Sequence, residues 1–463
     1  MTDSYQTFVA GKLQRTPPTG ILGAKVEAPY LMPFQRDLTS WALRRGRAAI
    51  FADTGLGKTR MEIEWARVVA AHTGRPVLIL TPLAVAAQTA AEGAKIGVEV
   101  TICREGADVR SGVNVANYER LHKFDAAAFG GVVLDESSCI KHHDTKTLKV
   151  LMEAFAGTAF RLCATATPSP NDYTELGTHA EFLGVCSRTE MLSEYFCHDG
   201  GDTSTWRLKG HARGLFWRFV ATWGAMIRRP SDLGYSDDGY KLPPLTVHHH
   251  VIPAEKDEAE KAGLLFVREA STLSERRTAR KASMGGRVKA CLDRVNLSGD
   301  AWVVWCDLNA ESDALADGIA GAVEVSGADS IDEKESRLRM FGEGRARVIV
   351  SKPSICGWGL NWQHAHRMAF VGVTDSWEAY YQAVRRCYRF GQTREVEVHI
   401  FTSELEGAVA ANLKRKESDA MKMAEELSRE TRAAVRDEVL GQKRITNDYA
   451  PARRMEVPSW LRA

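Results

Sequence analysis

The chain has no run approaching the roughly eighteen consecutive apolar residues that a membrane-crossing helix needs, which excludes an integral membrane protein of the helical kind. It has no Cys-x-x-Cys pair, and its nine cysteines are an odd, scattered set. That argues against a disulfide framework and for reduced thiols in a cytosolic compartment. An excess of one charge is missing too: 61 Lys and Arg face 59 Asp and Glu, a net +2. With no global basic field, any attraction to polyanions has to come from local patches. The first residues, Met1 to Gln6, carry neither a basic n-region nor an apolar h-region, so no secretory signal and a cytoplasmic location are expected. What is there is ordinary: 463 residues, 44% hydrophobic and 26% charged. That is a globular composition at a length suited to two domains or slightly more.

Residues 1–30, rich in Pro, Gly and Thr, read as a leader without a core. Short apolar runs then alternate with helical stretches. Candidate strands are Ala48 to Ala52, Val77 to Leu80, Val113 to Ala116, Val132 to Leu134 and Arg161 to Cys163. A helix is expected from Thr59 to His72, with Gly74 where a C-terminal cap falls. Continuously apolar strands interleaved with helices predict a parallel sheet wrapped by helices. The rhythm pauses between about 185 and 250 and resumes with Ala301 to Cys306, Val323 to Val325, Val348 to Val350, Met368 to Val371 and Val396 to Phe401. Helices over 331–341 and 376–388 lie between them. The reading is therefore an α/β chain with two tandem parallel sheets, bounded at 31–184 and 251–403. Between them lies a basic and aromatic insertion with linker (185–250), and a helical tail follows (404–463).

Ala52 to Thr59 fits a strand–loop–helix phosphate loop, with Ala in place of the first Gly. Gly55 and Gly57, with Thr54 beside them, let backbone N–H groups turn toward phosphate oxygens at the positive end of the following helix. Lys58 is positioned for the β- and γ-phosphates of ATP, and the Thr59 hydroxyl for Mg²⁺. The apolar run Gly131 to Leu134 ends in two acids. Asp135 would complete the Mg²⁺ shell, and Glu136 would polarise the attacking water as general base. Upstream, Gln35 of Pro33-Phe-Gln35 lies where an adenine-reading glutamine could sit. In the second half, Tyr381 to Gln392 holds three arginines in five residues. Arg386 and Arg389, three apart on the expected helix, would share one face and act as fingers stabilising charge on the transferred phosphoryl group.

In this order the pieces resemble superfamily 2 helicases, most closely the Swi/Snf-type ATP-dependent DNA translocases, and their compactness resembles members encoded by phages and prophages. The resemblance covers residues 31 to 403. Pro33-Phe-Gln35 looks like the Q motif and Asp53 to Thr59 like motif I. Thr81-Pro82-Leu83 with Gln88 looks like motif Ia, and Asn117-Tyr-Glu119 like the segment after it. Asp135-Glu-Ser-Ser138 with Ile140-Lys141 resembles the acidic box, and Thr165-Ala-Thr167-Pro168 motif III. Gly357-Trp-Gly359-Leu-Asn361-Trp-Gln363 resembles motif V, and Gln382 to Gln392 motif VI. The resemblance implies two RecA-like domains with ATP in the cleft between them. Gln382 would lie on the nucleotide side, and Thr81, Pro82, Thr165, Thr167, Gly357, Gly359 and Asn361 would grip nucleic acid or couple it to the nucleotide. Two positions depart from the family: Arg385 stands where an acid is usual, and Ser137-Ser138 replaces Ala-His, losing the usual histidine link to the second domain.

From Arg207 to Arg229 six Lys or Arg and no acid interleave with Phe216, Trp217, Phe219 and Trp223. Arg213 and Arg218 could neutralise phosphates while the aromatics stack on bases, or the aromatics could form a core stripe with the arginines outward. A second stretch, Arg268 to Arg294, holds eight Lys or Arg against three acids and reads first as a solvated helical face. His248-His-His250 alternates across a probable strand and lacks partners at ligand spacing. Cys186, Cys197, His198 and His211 are too loosely spaced for zinc.

Three activities fit. The leading one is a monomeric motor on DNA, duplex favoured over single strands, whose partners would belong to replication, repair or recombination. A strand-separating helicase is the second; the short spacing from Thr374 to Gln382 leaves no room there for a separating pin, though one could come from 185–250. An ATP-timed clamp or adaptor on nucleic acid is the third.

Overall fold

The computed structural model describes residues 17–82, 85–140, 145–169, 172–199, 202–253, 278, 280–356, 360–372, 376–404, 415, 425 and 428–441. Two all-parallel sheets follow one another along the chain. The first contains β1 (Arg47–Ala52), β2 (Val77–Thr81), β3 (Val100–Ile102), β4 (Val113–Asn117), β5 (Gly131–Asp135), β6 (Phe160–Ala164) and, after an intervening hairpin, β9 (Gly224–Ile227). Its spatial order is β3-β4-β2-β5-β6-β1-β9. The hairpin is β7 (Phe196–Asp199) with antiparallel β8 (Asp202–Leu208). The second sheet runs β10-β15-β14-β11-β13-β12, from β10 (Leu245–Ile252), β11 (Trp302–Cys306), β12 (Ala322–Val325), β13 (Val348–Ser351), β14 (Arg367–Val371) and β15 (Val396–Ser403).

The central strands are buried throughout, as strands covered by helices on both faces must be. The helix Lys58–Thr73 ends where Gly74 adopts the left-handed conformation, and packs one face of the first sheet with Trp65 buried.

The span 185–250 is not a separate insertion. Its helix Arg213–Ala221 turns Phe216, Trp217 and Phe219 into the core on the other face of the first sheet, with Trp223 beside them. β9 then pairs with β1 along Ala49↔Gly224 to Ala52↔Ile227. Burying each such ring contributes on the order of 3 kcal/mol, so this segment is part of the first unit's core. At the other end, Leu245 to His250 belong to the second sheet, where β10 pairs with β15. The described part of the tail, 428–441, is helical to 440 and returns to the first unit. There Val435 and Val439 enter its core, Arg432 pairs with Asp232 at 2.8 Å, and Arg45 pairs with Glu438.

The basic stretch Arg268 to Arg294 lies partly outside the described residues. Within them, two of its cations face inward. Arg287 and Glu311 form a 2.8 Å ion pair with both side chains fully buried, and buried Arg280 bonds Asp307. Those two charges are paired inside the second unit and are not presented to solvent.

Candidate active site

The site is built at the carboxyl ends of parallel strands, where helix N-termini and loops converge in open α/β sheets. β1 leaves its last residue, Ala52, beside β6 and β9, and Asp53 N–H donates to Ile227 O at 3.0 Å. The chain then passes through Gly55 (φ 91°) and Gly57 (φ 80°) into the helix at Lys58. Both glycines take a φ that L side chains rarely adopt, and Gly55 is also hemmed in by backbone. A Cβ on Gly57 would lie 2.3 Å from the Gln35 amide nitrogen, and one on Gly55 would lie 2.8 Å from the Phe390 backbone nitrogen. Gln35, on the helix Pro33–Arg45, donates to Leu56 O at 2.8 Å and accepts from Met32 N–H at 2.8 Å, so it holds the loop from behind. Lys58 Nζ donates to Ala52 O at 2.9 Å. The Thr54 hydroxyl is buried without a hydrogen-bond partner.

Asp135 ends β5, and Glu136 follows it at φ 51°, the one non-glycine residue with positive φ among those described. That backbone costs on the order of 1–3 kcal/mol and persists where surrounding contacts over-determine it, typically at functional positions. Burial, then the neighbouring Glu136 charge, push the Asp135 carboxyl up to about 7, against the pull of Lys58 and Arg386. Glu62, one helical turn beyond Lys58, is 1% exposed and neither carboxylate oxygen has a hydrogen-bond partner. Burial and the Asp135 charge raise it well above the ordinary range. Its spacing of four from Lys58 puts it on the same helix face, a signal present in the sequence but not drawn out there. Ser137 shares a 3.1 Å hydrogen bond with buried His179, so a histidine from a different helix reaches the acidic box, on the first unit's side.

The second unit closes over this loop. The Tyr381 hydroxyl donates to Asp53 Oδ1 at 2.8 Å, and Arg385 lies 3.5 Å from Asp53 Oδ2. Burial opposes ionisation of Asp53, but Arg385, the Tyr381 hydroxyl and the Thr54 N–H outweigh it and hold the carboxyl below its usual range. Arg385, a departure from the family pattern, is thus tied to the phosphate loop itself. Phe390 stacks on Tyr240 at 4.8 Å, and Tyr240 meets Phe34 edge-on at 5.7 Å.

A hydrogen-bonded relay crosses the seam. Thr165 Oγ1 donates to Glu136 Oε2 at 3.4 Å and accepts from Thr167 N–H at 3.2 Å. Gln382 Nε2 donates to Thr167 Oγ1 at 3.3 Å, and Arg386 Nη2 donates to Gln382 Oε1 at 2.9 Å. Arg386 and Arg389 do not share a helix face as the spacing predicts, because the helix is Trp377–Val384 and both arginines lie in the turns after it. The helix stops where Arg386 Nε caps the Gln382 carbonyl at 2.8 Å, satisfying an acceptor left open at a helix end. Both arginines instead converge on Leu360 O, at 3.1 and 3.2 Å. Burial and then neighbouring Arg386 push Arg389 down to about 9, and its Nε has no hydrogen-bond partner.

The residues expected to touch nucleic acid are placed unevenly. Arg218 and Asn361 are exposed, and Arg213 and Pro82 half-buried. Thr81 is fully buried at the end of β2, and Thr165 and Thr167 belong to the relay. Phe216, Trp217, Phe219 and Trp223 are core residues and cannot stack on bases. Gly357 and Gly359 lie outside the described residues.

Fold and site together define a protein of two tandem α/β units with a phosphate-type loop at their seam. No family model matches the chain. It is 23% identical over 409 residues to the SWI/SNF-related matrix-associated actin-dependent regulator of chromatin subfamily A-like protein 1 of Xenopus tropicalis, and 24% identical over 409 residues to the Xenopus laevis protein of the same name. Each alignment covers 81% of this chain and 42% of the relative, so the chain spans less than half the length of the curated relatives it matches. Among solved structures it is similar to the Sulfolobus solfataricus SWI2/SNF2 ATPase core in complex with dsDNA, with TM-score 0.41 and 18% identity, covering 82% of this chain and 90% of that one. No helix among the described residues is long and apolar enough to cross a membrane.

Proposed function

We propose that the chain hydrolyses ATP at the seam between its two units and uses the opening and closing of that seam to move along duplex DNA. The observation that carries the reading is the relay from Glu136 through Thr165, Thr167 and Gln382 to Arg386. It joins the acid suited to activating water to a cation suited to the transferred phosphate, across two units.

The residues present fit ATP with Mg²⁺. The loop offers backbone N–H groups at a helix N-terminus, a lysine, and the orphaned Thr54 hydroxyl. Burial opposes ionisation of both Asp135 and neighbouring Glu62, and a cation beside them would favour their charged forms. Thr59 and Asp135 would hold the Mg²⁺, which when bound neutralises charge between the phosphates. Lys58, resting on Ala52 O, swings to the phosphates. Gln35 fixes the loop from the adenine side. Glu136 orients and deprotonates the attacking water, and its strained backbone aims the carboxylate. Arg386 and Arg389, desolvated against Leu360, supply positive charge to the transition state. Loss of the phosphate removes the anion these arginines face, and the two units part.

The test is ATP turnover with duplex DNA, single-stranded DNA and RNA, paired with triplex displacement and fork unwinding. Stimulation by duplex with triplex displacement and no unwinding is the expected result; turnover indifferent to every nucleic acid would refute the motor reading. Strand separation is favoured by one observation, the β7–β8 hairpin in the region where a pin could arise, and fork unwinding lost on shortening that hairpin would establish it.

A further inference from the structure

The histidines of β10, partnerless in the sequence, acquire partners from β15. Parallel pairing sets His248 opposite His399 and His250 opposite Phe401. The alternation of a strand then places His248, His250, Glu397, His399 and Phe401 on one face. Ligand atoms of His248, Glu397 and His399 all lie within 4.8 Å of one another. We propose that these three side chains form a binding site for a divalent transition-metal ion of the Zn²⁺ kind, unrelated to the nucleotide site.

The geometry supports this in two ways. His399 Nε2 lies 3.3 Å from Glu397 Oε2. Two ligands about 2.05 Å from a tetrahedral metal stand about 3.3 Å apart, so this pair is already at first-shell separation. The other ring nitrogen, His399 Nδ1, is engaged by His250 Nε2 at 3.0 Å. Metal-binding imidazoles are generally oriented in this manner, by a partner on the nitrogen that does not face the ion. His250 is itself stacked on Phe401 at 4.6 Å, which fixes it. His248 is on the sheet's edge strand and stacks on His399 at 4.7 Å, free to rotate the remaining distance. Three protein ligands leave a fourth position for water.

The surrounding charges set a limit on strength. Arg367 and Arg294 lie 3.5 and 3.7 Å from Glu397, and Asp300 offsets Arg367 at 3.1 Å. Both arginine contacts with Glu397 are longer than good charge-assisted hydrogen bonds, so the carboxylate retains lone pairs for a cation. β10 is the first strand of the second sheet and β15 the last. A metal there fastens the chain's entry into that unit to its exit.

The test uses the full chain, stripped with chelator, then titrated with Zn²⁺ by calorimetry and with Co²⁺ by absorption. One equivalent should bind with visible tetrahedral cobalt bands and no near-ultraviolet thiolate band, and zinc should raise the melting temperature. His248→Gln and Glu397→Gln should abolish that equivalent, and His250→Phe should weaken it by about 10- to 100-fold. His248 makes only ring contacts at an edge, so His248→Gln should keep the metal-free circular dichroism and melting temperature. No stoichiometric binding by the wild-type chain, a thiolate band implicating cysteines, or full binding by His248→Gln and Glu397→Gln would each overturn the site. ATP turnover without added zinc is expected to be the same in wild type and His248→Gln, which separates this result from that of the motor.

Discussion

Gln382 is the relay's link across the seam, bonded to Thr167 on one side and Arg386 on the other, so replacing it measures what the relay does. Gln382→Ala removes a neutral hydrogen bond to Thr167 at 3.3 Å and a charge-assisted one from Arg386 at 2.9 Å. Arg386 keeps its bonds to the Gln382 and Leu360 main-chain carbonyls, which survive the substitution, so the charge-assisted loss falls at the low end, about 1.5 kcal/mol. If the relay forms in full only as the transition state is reached, turnover falls at least about tenfold. Thr167→Val removes only the neutral bond, because Thr165 holds Thr167 through its backbone N–H. The expected loss is about 0.5–1.5 kcal/mol, roughly 2- to 10-fold. The shared bond can be lost only once, so the double variant should be less impaired than the product of the singles. The assay is steady-state ATP turnover on duplex DNA for all four proteins, with nucleotide affinity measured separately. Additivity within about 0.3–0.5 kcal/mol would mean that the two residues do not communicate, and the relay would be only a static contact.

Lys58→Ala should abolish turnover and weaken nucleotide binding, whereas Glu136→Gln should bind nucleotide normally and stall; wild-type turnover from Glu136→Gln in a phosphate-release assay sinks its assignment as base. Gly57→Ala should lose nucleotide binding, measured by fluorescent-nucleotide titration, since its Cβ would meet the Gln35 amide at 2.3 Å on a backbone at φ 80°. Burial holds buried His179 down to about 4 from an ordinary 6.5. The unfolded chain therefore takes up that proton first, and stability is present above about 6.5 and lost as pH falls toward 4. The loss is on the order of 3 kcal/mol. Denaturant melts at pH 7 and pH 5 should show about 2 kcal/mol of it, and His179→Gln, which keeps a partner for Ser137, should flatten that part of the pH dependence.

The tandem parallel sheets were legible because buried parallel strands are continuously apolar, as at Val77 to Leu80 and Val132 to Leu134, and because a glycine loop after such a strand has few other uses. Less legible was the last strand of the first sheet. Gly224–Ile227 is four residues long and lies within Arg207 to Arg229, where the basic residues left an outward, base-stacking reading of the aromatics open beside the core stripe. Pairing between distant strands was not legible at all. Nothing local to His248 announces His399, because parallel register is decided by the whole sheet. The helix before Arg386 was read too long for a related reason: it stops at Val384, and Arg386 turns to cap the Gln382 carbonyl and to reach Leu360 O, a distant partner that spacing does not encode.

The phosphate loop is itself part of the joint between the units. Asp53 accepts from Tyr381 and faces Arg385, and Gly55 has Phe390 against it. Separating the units would strip Asp53, whose ionisation burial opposes, of the partners that favour its charged form. It would have to be rehydrated as the seam opens. Any ligand that reshapes the loop therefore acts on the joint directly, through Asp53 and Gly55, without a transmitting element between them. The relay through Thr167 and Gln382 adds a second link from Glu136 to Arg386. On the proposed function, the loop link would sense whether phosphate is held, and the relay would sense where Glu136 points. Two links of different origin would then give the seam distinct responses to binding and to hydrolysis, which is the minimum the proposed cyclic motion needs to have a direction.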